Sequence, residues 1–109
     1  MPEFIKVAKT SEVPPGKSKV VDLGGLRIAL FNVDGRYFAI DDVCTHAGGS
    51  LSEGGLHGAT VECPLHGARF DLATGRVLDP PAETDVAAYR VHIEGKDIML
   101  EVGQASASE

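Results

Sequence analysis

Turn residues punctuate this chain too often for long helices. Its thirteen glycines and six prolines fall mostly between short apolar runs, a pattern that joins strands by tight turns. Phe4–Ala8 is a short strand candidate, broken by Val13-Pro-Pro-Gly16 and followed by Ser18–Leu23 and the turn Gly24-Gly25. The sharpest local signal is Leu26–Val33, Asp34-Gly35, Arg36–Ile40, because Asp-Gly supplies the positive φ angles of a two-residue hairpin turn. Ala88–Ile93, the turn Glu94–Asp97 and Ile98–Val102 read as a second hairpin. Between the hairpins, glycines at 48, 49, 54, 55, 58, 67 and 75 interrupt the periodicity, leaving room for very short strands near Thr60–Glu62 and Ala68–Asp71. The expected fold is all-β, with a loop-rich insert over residues 41–82 and a frayed small-residue tail over 103–109.

A chain of 109 residues, 43% of them hydrophobic, supports one modest core, so residues 1–109 are expected to form a single domain. The N-terminal segment has neither an apolar stretch of signal-peptide length nor twin arginines, and no eighteen apolar residues run together. The expectation is a soluble, cytoplasmic protein with no membrane association. In that reducing compartment the two cysteines suit burial, catalysis or metal binding better than a lasting disulfide. Residues 41–85 carry eight acids (Asp41, Asp42, Glu53, Glu62, Asp71, Asp79, Glu83, Asp85) against Arg69 and Arg76, a surplus equal to the whole formal charge of −6. Nucleic-acid binding is excluded, since it needs clustered Lys and Arg. The acidic surplus reads either as an ordinary solvated face or as a docking surface.

Both cysteines have a nearby histidine: Cys44-Thr-His46 and Cys63-Pro-Leu-His66, with sixteen residues between His46 and Cys63. Three readings compete. The cysteines could be small buried hydrophobes beside surface histidines. Zinc accepts two thiolates and two imidazoles, although its structural sites usually pair Cys with Cys and His with His on each loop. The third reading is a binuclear iron–sulfur centre in which two histidines replace two cysteines on one iron; mixed loops suit it, because each loop then touches both irons.

Here the loops resemble those of Rieske proteins. CTHAGGSL is similar to the family's C-x-H-x-G-x-x-L at Cys44, His46, Gly48 and Leu51, and CPLHGARF to C-x-x-H-G-x-x-F at Cys63, His66, Gly67 and Phe70. Leu72–Gly75 resembles the turn that follows the second loop. The resemblance implies one [2Fe–2S] cluster, with Cys44 and Cys63 on one iron and His46 and His66 on the other through Nδ1. It implies an antiparallel β-sandwich base carrying a small cluster-binding subdomain. Gly48, Gly49 and Gly67 would let backbone approach the sulfur atoms. Pro64 and Asp79–Ala82 would cover the cluster, while Leu51, Leu65 and Phe70 would exclude water. His57 and His92 read as ordinary surface or partly buried histidines.

Charge counting explains the histidines. A [2Fe–2S]²⁺ core with two thiolates and two neutral imidazoles is formally neutral, and one electron takes it only to −1. A four-cysteine centre starts at −2 and is harder to reduce. High-potential members of the family carry an extra cysteine in each loop plus a serine and a tyrosine donating towards sulfur; Gly49, Leu65, Ala68 and Phe70 stand at those places. The expected potential is therefore near the bottom of the Rieske range, around −150 mV. No open iron position, Ser/His/Asp grouping or phosphate loop points to catalysis. The resemblance implies a monomeric electron carrier serving aromatic hydrocarbon catabolism. It would pass electrons from an NAD(P)H-dependent flavoprotein ferredoxin reductase to a terminal ring-hydroxylating oxygenase through transient complexes. A permanent small subunit of a reductase, such as nitrite reductase, and a zinc-binding interaction module are the alternatives.

Overall fold

The computed structural model describes residues 3–43, 50–64, 67–79 and 85–102. Its strands are β1 (Glu3–Lys9), β2 (Ser18–Leu23), β3 (Leu26–Val33), β4 (Arg36–Asp41), β5 (Gly55–His57), β6 (Thr60–Glu62), β7 (Arg69–Asp71), β8 (Val77–Asp79), β9 (Ala88–Tyr89), β10 (Val91–Glu94) and β11 (Asp97–Val102). Single 3₁₀ turns cover Thr10–Glu12 and Leu51–Glu53. The all-β expectation holds. Asp34 and Gly35 sit at φ 53° and 92°, the pair of positive angles the β3–β4 hairpin turn needs.

Among the described residues three sheets form, ordered β1-β11-β10, β2-β3-β4-β9 and β5-β6-β7-β8, and every strand pairing in them is antiparallel. The second sheet is the middle layer. Ile28 and Leu30 of β3 and Ala39 of β4 face Ala8, Ile98 and Leu100 of the first sheet. Ala29 and Phe31 of β3 and Ile40 of β4 face the opposite way, onto Leu51, Val61, Cys63, Phe70 and Leu72. A strand covered on both sides has no polar face to show, which is why residues 28–32 are buried without interruption. The polar member of that run, Asn32, donates Nδ2–H to the Val13 carbonyl at 2.8 Å and accepts from the Gly35 amide at 2.7 Å, so its burial leaves no orphaned amide.

The structure corrects the expectation of one strand over Ala88–Ile93. Ala88 and Tyr89 pair with Ile40 and Ala39, whereas Val91–Glu94 pair with β11 in another sheet. The chain changes sheets at Arg90. Tyr89 and Val91 nevertheless pack on the same core, so the alternation of side chains continues while the hydrogen-bonding partner changes. The strands β5 and β8, absent from the sequence reading, flank the two short strands it did contain and complete the third sheet. Asp79–Ala82, expected to cover a cluster, lies outside the described residues apart from the backbone of Asp79. Among the described residues no helix is long and apolar enough to cross a membrane.

Candidate metal centre

The second motif grows out of β6 and returns as β7. Val61 and Cys63 alternate inward with Glu62 outward, and Ala68 and Phe70 alternate inward with Arg69 outward. The cysteine amide donates to the Ala68 carbonyl at 2.7 Å, and the Gly67 amide donates to the Cys63 carbonyl at 3.0 Å. These two bonds close the base of the loop. Gly67, at φ +79°, takes the left-handed conformation that lets the chain turn back there. Cys63 is 2% exposed and belongs to the apolar cluster with Leu51, Val61 and Phe70. Pro64 is exposed.

The first motif leaves the end of β4. Val43 bridges to Ser50 in antiparallel fashion, so the ends of the segment carrying residues 44–49 are drawn together. Beneath that bridge lies Asp42, 1% exposed. Its carboxylate accepts from Ser50 Oγ at 2.9 Å and 2.7 Å, from the Ser52 amide at 2.8 Å and from Arg27 Nη2 at 3.2 Å. Its backbone accepts from the Leu51 amide at 2.6 Å and donates to the Arg27 carbonyl at 3.0 Å. Ser18 Oγ adds a bond to the Ser52 carbonyl at 2.6 Å. Sequence reasoning counted Asp42 among possible surface acids; the structure places it inside, where donors from both ends of the segment converge.

Asp41, its neighbour, points elsewhere. It accepts from the Tyr89 hydroxyl at 2.5 Å and the Ala87 amide at 3.3 Å, joining the end of β4 to the strand that follows residues 80–84. Burial, and then the hydrogen bond and charge of Asp41, hold the Tyr89 hydroxyl well above the ordinary tyrosine range.

Gly54 brings the two motifs together. It lies at φ −82° just after the Leu51–Glu53 turn, and a Cβ there would stand 2.0 Å from the Glu62 carbonyl oxygen. Only a residue without a side chain lets the exit of the first motif lie this close to the strand that enters the second. Gly55 then pairs with Glu62, one residue before Cys63.

Among the described residues, three further acids of the segment are also engaged. Asp71 accepts from the Thr74 amide at 3.1 Å and hydroxyl at 2.7 Å, and Asp85 accepts from the Val77 amide at 2.8 Å. Glu62 lies 3.3 Å from His57 Nε2 and 3.9 Å from Arg69 Nε on the outward face of the third sheet. His57 and His92 are both exposed, as expected, and His92 makes a tilted ring contact with Phe4 at 5.4 Å.

Of the motif residues, Leu51, Cys63 and Phe70 share one buried cluster. Cys44, His46, Gly48, Gly49, Leu65 and His66 lie outside the described residues. The described part of the donor set fits a thiolate-bound iron–sulfur group. Cys63 is at the mouth of a loop with its backbone bonds satisfied, and its apolar surroundings exclude water from a soft, charge-delocalised ligand.

An all-β protein whose sequence carries two Cys/His motifs, the second rooted in the third sheet with its cysteine buried, fits a class of small iron–sulfur proteins. Residues 3–90 match the family model described as the Rieske [2Fe-2S] domain. The chain belongs to that family, and the family's cofactor is one [2Fe–2S] cluster. It is 43% identical over 104 residues to the biphenyl dioxygenase ferredoxin subunit of Pseudomonas sp. strain KKS102, covering 94% of this chain and 95% of that one. It is 45% identical over 102 residues to the 3-phenylpropionate/cinnamic acid dioxygenase ferredoxin subunit of Escherichia coli K12, covering 93% and 95%. A solved complex of reduced oxygenase and oxidized ferredoxin in carbazole 1,9a-dioxygenase contains a chain of the same fold, with TM-score 0.82, 32% identity and coverage of 89% and 91%. An NADH-dependent nitrite reductase small subunit from Mycobacterium tuberculosis shares the fold at TM-score 0.84 but only 24% identity, over 94% of this chain and 97% of that one.

Proposed function

We propose that this chain is the ferredoxin component of a ring-hydroxylating oxygenase system: a one-electron carrier, not itself an enzyme, whose cluster is held by the thiolates of Cys44 and Cys63 and the imidazoles of His46 and His66. When bound, the cluster supplies a single reversible electron. The protein's part is to hold four donors at fixed positions, exclude water and leave one end open to a partner. The burial of Cys63 in one apolar cluster with Leu51 and Phe70 supports the first two. Residues 1–109 act as one domain, with 41–82 as its cluster-binding part. Gly48, Pro64 and Gly67 shape the loops around the donors.

The observation that carries this reading is similarity to ferredoxin subunits over 95% of their own length. The two relatives serve dioxygenases named for different substrates at nearly equal identity, so the substrate belongs to the oxygenase and leaves little mark on its carrier. The partners are a flavoprotein reductase that oxidises NADH or NADPH and a terminal oxygenase, both met in small transient contacts. The chain works as a cytoplasmic monomer.

The test is reconstitution. Purified holoprotein added to a flavoprotein reductase, a nicotinamide donor and a ring-hydroxylating oxygenase should make product formation depend on its concentration. Holoprotein that is reduced but never passes its electron to any such oxygenase, and that elutes from native extract only within a larger reductase, would favour the small-subunit alternative.

A further inference from the structure

The first motif is anchored by a group that the donor set does not include. Asp42 is 1% exposed, and a carboxylate offers only acceptors. Its contacts come from both sides of residues 44–49: its own backbone and Arg27 on the entering side, and Ser50 Oγ, the Ser52 amide and the Leu51 amide on the leaving side. Burying a carboxylate is costly unless donors surround it, so an acid placed here for the surface would have been better left in water. Asp41 provides the internal comparison. It carries the same formal charge one residue earlier but bonds Tyr89 and Ala87 and takes no bond from Ser50, Leu51 or Ser52.

We propose that Asp42 is a positioning residue that clamps the two ends of the first ligand-bearing segment and so fixes where Cys44 and His46 are presented. The inference rests on the cluster reading above. Charge-assisted bonds to a buried carboxylate are stronger than neutral ones, and Ser50 supplies both oxygens with one hydroxyl, itself 2.9 Å from Ser52 Oγ. Removing the Ser50 hydroxyl weakens the clamp without changing any charge, whereas Asp41→Asn removes a neighbouring charge without touching the clamp.

The experiment compares wild type, Ser50→Ala, Ser50→Thr, Asp42→Asn and Asp41→Asn as holoproteins, using the EPR spectrum of the reduced state and hydrogen exchange of the peptide spanning residues 50–54. Ser50→Ala and Asp42→Asn should broaden or shift the EPR signal and speed exchange of the Ser52 amide about tenfold. Ser50→Thr should restore both readouts, and Asp41→Asn should keep the wild-type line shape. An unchanged spectrum and unchanged exchange in Ser50→Ala and Asp42→Asn would overturn the clamp, as would Asp41→Asn reproducing their change in line shape. A wild-type protein without a mixed-ligand iron–sulfur signal would instead defeat the cluster reading. The exchange measurement would still decide whether Asp42 holds residues 50–52.

Discussion

Replacing Gly54 by alanine should damage the metal centre although Gly54 is not a ligand. Its φ of −82° is open to any residue, so the backbone itself does not object. The obstacle is the Glu62 carbonyl oxygen, 2.0 Å from where the new Cβ would sit, with the Glu62 carbonyl carbon at 3.0 Å. Real contacts of this kind are about an ångström or more longer, and both sides are constrained. Gly54 donates its amide to Leu51 at 3.0 Å, and Glu62 is held in register with Gly55 and Arg69. The movement must therefore reach Leu51 on one side and Cys63 on the other. Forced overpacking costs about 1–3 kcal/mol, which for a domain of this size lowers Tm by roughly 5–20 °C. Gly58→Ala is the control, since Gly58 has φ +63° but nothing within 4 Å of an added Cβ; it should cost about 1–2 kcal/mol through backbone strain alone. Thermal unfolding, iron and acid-labile sulfide content and reduced EPR would be measured on both. Gly54→Ala should lose cluster and perturb the signal while Gly58→Ala keeps both. A Gly54→Ala protein with wild-type Tm, metal content and line shape would refute the reasoning.

Further outcomes follow from the same geometry. A redox titration should place the midpoint near −150 mV, because buried Ala68 and Phe70 offer no hydroxyl to sulfur; a clearly positive potential would contradict this. The raised pKa of Tyr89 means that its stabilising contribution is complete below the unfolded value of 10.0 and is lost as pH rises from there towards the folded value. The urea midpoint of wild type should accordingly fall between about pH 9 and about pH 11, and more steeply than that of Tyr89→Phe. Reduction by a flavoprotein reductase should slow between about 0.05 M and about 0.5 M salt if the acidic segment steers encounter; rates independent of salt would remove steering from the account. Phe31→Ala, emptying a fully buried site in the middle layer, should cost about 3–5 kcal/mol in urea denaturation.

The parts of this molecule that could be read from sequence are those set by neighbours in the chain. Asp34-Gly35 announced its hairpin because the turn chemistry is local, and the family was legible in Cys63 with Phe70 because the motif is short. The sheet change at Arg90 was hidden because Tyr89 and Val91 face one core, so the alternation gives no sign that the hydrogen bonds have moved. The strands β5 and β8 contribute one packed side chain each, Leu56 and Val77, too few to show a period. Asp42 was hidden for a different reason. An acid beside another acid reads as surface, and what makes it internal is Arg27, Ser50 and Ser52, up to fifteen residues away in sequence. Among the described acids of residues 41–85, Asp42 alone is buried, while the others lie at or near the surface. Asp41, Asp42, Asp71 and Asp85 hold backbone or hydroxyl groups, and Glu53 remains exposed.

The central claim is that two thiolates and two imidazoles bind a pair of sulfide-bridged irons. Anaerobically purified, metal-replete protein should contain iron and acid-labile sulfide in equal amounts. On one-electron reduction it should give an EPR spectrum with the low average g value of mixed nitrogen and sulfur ligation. Colourless protein carrying zinc and no sulfide, or an iron–sulfur spectrum with the higher average g of all-cysteine ligation, would contradict it.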